Sequence, residues 1–164
     1  MRNKLFSLQE DQVGFWYTEN PFSAKLVLQV KPPTVNSYWK AIRGSSKKRI
    51  SENGLFFKNL VKEVIFKKCP NISSYSGDVT VSIFIAKKGR EKGDIDNYLK
   101  SLFDSITGII ITDDSQIQEI YKYKIWRNCR FEGVGISIVP YKDIEESTED
   151  KLEILNKYIQ IHQG

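Results

Sequence analysis

From Lys25 to Lys31 the chain reads KLVLQVK, an apolar run of Leu26, Val27, Leu28 and Val30 that predicts a strand. Pro32-Pro33 ends it, because proline donates no ladder hydrogen bond and restricts the residue before it. Thr34 to Arg49 is polar, basic and extended, with a loop at Gly44-Ser45-Ser46. Ser51 suits the N-cap of a helix over about 52–68 whose buried face is Phe57, Leu60, Val61, Val64 and Ile65. After a loop from Pro70 to Gly77, residues 78–86 alternate, with Val79, Val81, Ile83 and Ile85 on one side of a strand.

A basic loop spans Lys87 to Gly93. A helix over about 94–106 then carries an amphipathic stripe of Ile95, Leu99, Leu102, Phe103 and Ile106. The apolar Ile109-Ile110-Ile111 run predicts burial, and strands follow near 117–126 and 132–140. Residues 143–162 read as a helix with Leu152, Leu155, Tyr158 and Ile159 on one side. In residues 1–24 no period links Phe6, Phe15, Trp16, Tyr17 and Phe22, which suggests an extension packed on the body or on a partner chain. The order implies a single α+β domain over 25–142, a small mixed sheet with helices on one face, followed by an acidic tail over 143–164.

At 164 residues one domain is expected, and 40% hydrophobic with 27% charged residues argues against disorder. No apolar run has membrane-spanning length, and the N-terminus lacks a signal-peptide core, so a cytoplasmic protein is expected. Cys69 and Cys129 are far apart and form no ligand pattern. His162 is the single histidine, which disfavours histidine-based catalysis and histidine-rich zinc sites. Charge is uneven. The tail holds six acids and two bases, whereas residues 25–142 hold 21 bases and 11 acids, a balance of +10. Such a body suits a polyanionic partner such as nucleic acid; a lysine-rich solvated surface has the same composition.

Carboxylates gather in two places. Asp94-Ile95-Asp96-Asn97 opens the second helix, and Asp96, Lys100 and Asp104 follow at four-residue intervals. Asp113-Asp114 lies just past the isoleucine run. Taken singly, these are a cap, an ion-pair ladder and a turn signal. Together they offer three or four hard oxygen ligands, Asp94, Asp96, Asp114 and Asp113, which suit Mg²⁺ or Mn²⁺ and phosphodiester hydrolysis. Lys100 then orients a water, stabilises a phosphate or forms a salt bridge.

The segments Pro32-Pro33-Thr34-Val35-Asn36, Ser51-Glu52-Asn53-Gly54, Asp94-Ile95-Asp96-Asn97-Tyr98-Leu99-Lys100 with Phe103-Asp104, and Asp113-Asp114-Ser115-Gln116-Ile117 resemble the RusA family of Holliday-junction resolvases. The resemblance runs from about Lys25 to about Pro140. It implies a metal-dependent homodimeric endonuclease that nicks two opposed strands of a four-way junction, with no nucleotide cofactor and no membrane. The family's essential carboxylates fall on Asp94, Asp96 and Asp114 and its catalytic lysine on Lys100, while Asp113 and Asn97 match neighbouring positions. The positions expected to face DNA are Asn36, Arg43, Lys47, Lys48, Arg49, Lys87, Lys88, Arg90 and Lys92, although Glu91 and Gly93 interrupt the last run. Tyr38 and Trp39 suit base stacking, the core or a dimer contact. Two other readings stay open: a module that grips branched DNA without cutting, and another metal nuclease acting on linear or flap DNA. The chain has no glycine-rich phosphate loop.

Overall fold

Seven strands and three α-helices are described in a computed structural model that covers residues 14–90, 95–142 and 152–153. Strands β1 (Gly14–Thr18), β2 (Ser23–Leu28), β5 (Val79–Ala86), β6 (Ile117–Trp126) and β7 (Gly133–Pro140) form one sheet in the order β1-β2-β7-β5-β6. Every pairing is antiparallel except β5 with β6, whose parallel connection runs through helix α3 (Leu99–Ile106). Strands β3 (Trp39–Ala41) and β4 (Lys48–Ile50) make a separate hairpin between the short helix α1 (Val35–Tyr38) and the long helix α2 (Glu52–Lys68).

The register sorts the sheet into two faces. On the helix side Leu26, Ile136 and Ile83 share one row, and Leu28, Val134 and Ile85 share the next. All of them are buried, with Phe57, Val61 and Ile65 of α2 and Leu102 and Ile106 of α3 packed against them. Each fully buried side chain contributes about 1.5–3 kcal/mol, which explains why the alternating β5 sits in the interior. The opposite face carries no described helix. Its rows are Trp16–Lys25–Ser137–Ser82–Lys122 and Val27–Gly135–Phe84–Lys124.

The mixed sheet with helices on one face is the α+β domain expected. Helix α2 begins at the expected cap, where Ser51 Oγ accepts from the Gly54 amide at 3.1 Å. Three expectations are corrected. Residues 14–24, expected in an extension, contribute β1 and its turn to the sheet, and Phe15 and Phe22 join the core. The extended segment 34–49 contains α1 and the β3–β4 hairpin. The helix expected from residue 94 begins as a 3₁₀ turn over Ile95–Tyr98 and becomes α-helical at Leu99. That tighter winding turns Ile95 outward, 59% exposed, and Tyr98 takes the buried place. Of the tail helix, Leu152 and Glu153 are helical and the rest lies outside the described residues.

Candidate active site

Helix α3 is fixed at both ends before it presents anything to solvent. At its start, Ser101 Oγ donates to the Pro33 carbonyl at 2.6 Å, so the Pro-Pro segment is fastened to the helix. At its end, Gly108 takes φ +79°, a left-handed turn that only glycine adopts without strain, and Ile110 and Ile111 drop into the core. The chain then reaches Asp113 and Asp114 at the head of β6.

The Asp-Asp-Ser-Gln turn divides its labour. Gln116 is buried and uses its whole amide. Its Nε2 donates to the carbonyls of Tyr75 (2.8 Å) and Gly77 (2.6 Å), and its Oε1 accepts from the Asp113 amide at 2.8 Å. The Asp113 carboxylate accepts from the hydroxyl and amide of Ser115, and these bonds lower its pKa. Both residues hold the turn. Asp114, between them, is exposed and its charge reaches Lys100.

Lys100 is itself held. Its Nζ donates to Asp104 Oδ1 at 2.8 Å, and the fully buried Tyr38 donates its hydroxyl to Asp104 Oδ2 at 3.0 Å. The bond to Asp104 raises the Lys100 pKa, so the group is an ammonium at neutral pH. Tyr38 is raised too, by burial first and then by Asp104. Tyr38 packs where Gly54 leaves room: a Cβ on Gly54 would meet Ile50 Cγ2 at 2.6 Å and Tyr38 Cδ2 at 2.8 Å. The Ser-Glu-Asn-Gly segment therefore seats the tyrosine that braces Asp104.

Asp96 is exposed in the 3₁₀ turn, and its charge reaches Tyr123 on β6. Below it Tyr123 turns inward, and its buried hydroxyl has no hydrogen-bond partner among the described residues. Burial raises the Tyr123 pKa to about 12, with smaller contributions from Tyr98 and Asp96, so it remains a donor. An orphaned donor near an exposed carboxylate is a polar spot with capacity for a bound group.

The other expected site residues are spread around this centre. Asn36 is exposed on α1, and Arg43, Lys47, Lys48 and Arg49 line the exposed β3–β4 hairpin. Lys88 and Arg90 are exposed, but Lys87 is 8% exposed, because its backbone bonds to Trp126 and Cys129 draw it under the β6–β7 turn. Asp94 and Lys92 lie outside the described residues. Among the described residues no three Asp, Glu, His or Cys side chains stand close enough to hold a metal. Sequence reasoning assigned no role to Gln116, Tyr123 or the Tyr38–Asp104 brace. The signals that touched them were the place of Gln116 in the Asp-Asp-Ser-Gln motif and the four-residue spacing of Lys100 and Asp104.

No helix among the described residues is long and apolar enough to cross a membrane. No curated protein matches the chain. A family profile does: Endodeoxyribonuclease RusA, over residues 29–139.

Proposed function

The chain belongs to the RusA family of endodeoxyribonucleases, and on that premise we propose that it resolves four-way DNA junctions by metal-dependent nicks in two opposed strands. The observation that carries the reading is the division of labour in the Asp113–Gln116 turn. Asp113 and Gln116 are used internally, and Asp114 is left exposed in the field of a fixed ammonium.

In this reading Asp96 and Asp114, with Asp94 from the same sequence motif, hold the cation, and Asp113 serves as a cap. These donors are hard oxygens without imidazole or thiolate, a set that fits Mg²⁺ or Mn²⁺. A divalent cation bound there supplies charge neutralisation and a more acidic water. Lys100, kept protonated and oriented by Asp104, donates to a phosphate oxygen and does not act as a base. The Tyr123 hydroxyl donates to a group bound beside Asp96. Asn36, the hairpin cations and Lys88 and Arg90 grip phosphates without reading bases. The protein works as a homodimer, because a junction presents two scissile phosphates in two-fold relation and each chain has one such site.

The test is cleavage of junction, duplex and flap DNA with and without Mg²⁺, by the wild-type protein and Asp96→Asn. The expected outcome is junction-selective cutting that the substitution lowers by orders of magnitude while junction binding persists, since removing a negative charge that faces phosphate does not weaken the grip. Normal cutting by Asp96→Asn sinks the catalytic assignment. Equal cutting of linear or flap DNA sinks the junction assignment, and binding without cutting favours a non-cleaving module. The solution mass with a junction present tests the dimer.

A further inference from the structure

The sheet face opposite α2 and α3 is open among the described residues, and its chemistry is unlike that of a solvated face. It carries an apolar groove of about 280 Å³ lined by Val27, Phe84, Trp126, Phe131 and Gly135, with Lys25 at its border. Phe84 and Trp126 lie side by side, ring centroids 5.4 Å apart and planes tilted by 34°. Trp126 is 49% exposed. Lysines stand in the rows that flank the rings: Lys122 ends one row, Lys25 lies across it next to Trp16, with its Nζ 5.3 Å from that ring's centroid, and Lys124 sits beside Phe84 in the next. Strands spaced about 4.8 Å apart put Lys25 and Lys122 roughly 14 Å from each other across the groove. Neither row contains an acid. Glu119 lies a row further along and accepts from Thr80 at 3.2 Å.

We propose that this face binds single-stranded DNA, with bases stacked on Phe84 and Trp126 and phosphates held by Lys25, Lys122 and Lys124. Exposed aromatic rings bordered by cations form a platform that accepts any base, because every base has a π-face. Charge selects this occupant over a second copy of the chain: two such faces packed together would oppose lysines to lysines, whereas a polyanion neutralises them. The site is separate from Asp96, Asp114 and Lys100, which belong to the helix side of the sheet. A nuclease of branched DNA with such a platform holds an unpaired strand away from the cutting site.

The test is a fluorescence anisotropy titration of the full chain with fluorescein-labelled dT15 in EDTA, where no metal-dependent cutting occurs. Trp126→Ala is expected to weaken binding about 5- to 150-fold, the loss of one stacked base. Lys122→Gln with Lys124→Gln is expected to lower the salt slope by about 0.7 per phosphate released. Should Trp126→Ala fail to melt cooperatively, Trp126→Leu, which keeps the apolar volume and removes the ring, takes its place. The proposal is overturned if the wild-type protein leaves dT15 free, if the ring and lysine variants bind it normally, or if the ring variant instead converts a dimer to a monomer in sedimentation, which assigns the face to a second copy. Binding of dT15 through this face by a protein that cuts no junction upholds this inference and refutes the cleavage assignment, so the two fail separately.

Discussion

Tyr38→Phe removes one oxygen from the interior and nothing else. The ring remains in its fully buried seat against Gly54, and what disappears is the 3.0 Å hydrogen bond to Asp104 Oδ2. A hydrogen bond to a charged group contributes about 1.5–3 kcal/mol. Asp104 is 22% exposed and keeps Lys100 on its other oxygen, so water replaces part of the loss and the lower end applies, about 1.5 kcal/mol. For a chain of this length each kcal/mol moves the melting temperature by about 2–4 °C, which predicts a drop of roughly 3–6 °C at pH 7. The pH dependence has a definite sign. Tyr38 is raised above its ordinary 10.0, so the folded state keeps a proton that the unfolded state releases. The wild-type advantage is therefore complete below pH 10 and shrinks as pH rises beyond it. Calorimetry on both proteins from pH 7 to 11 checks this. A difference below 1 °C at pH 7, or one that stays constant to pH 11, refutes the bond as described. In a junction assay the same substitution should slow cutting less than Lys100→Met, because it loosens the ammonium without deleting it.

Gln116→Ala strips the turn of three hydrogen bonds and leaves the Gly77 carbonyl short of a partner, while the Tyr75 carbonyl keeps the Thr112 amide at 3.2 Å, so a loss of about 1–3 kcal/mol is expected by urea unfolding, together with faster amide exchange at Asp113. A normal midpoint and unchanged exchange would show that the turn holds without it. Tyr123→Phe should widen the alkaline stability range, since the hydroxyl stays protonated in the fold up to about 12 and stability drains away above the ordinary value of 10.0. An unfolding midpoint in pH identical to wild type counts against its burial.

Some of this was legible in the chain because local chemistry and tertiary demand agree. The strict alternation of β5 and the Ser51 cap of α2 carry their structure within a few residues. The two halves of the aspartate motif were legible as types, and the turn shows why they come in that form: one aspartate and the glutamine hold the loop that exposes the other aspartate. Strand β1 was not legible, because an edge strand of five residues buries only Gly14 and Phe15 and leaves no period. Ile95 misled for a related reason: a 3₁₀ turn advances by three residues where the stripe assumed 3.6. Tyr38 looked equally suited to stacking and to the core. Its partner Asp104 is 66 positions away, and no local pattern reports a contact of that span.

The last described strand is also an inner one. β7 lies between β2 and β5, so the two halves of the sheet share no ladder until residues 133–140 arrive. During synthesis the hairpin β1–β2 and the β5–α3–β6 unit leave the ribosome as separate pieces, each with one strand edge unsatisfied. Neither has a complete apolar floor, because Leu26 meets Ile83 only through Ile136. Closure depends on pairings distant in sequence, which are slow to form. The ribosome thus supplies its own delay: a nascent chain carries every proposed catalytic aspartate by residue 114 but cannot seat them on a finished sheet until nearly thirty residues later. A chain halted at residue 132 keeps both pieces and loses both ladders that join them.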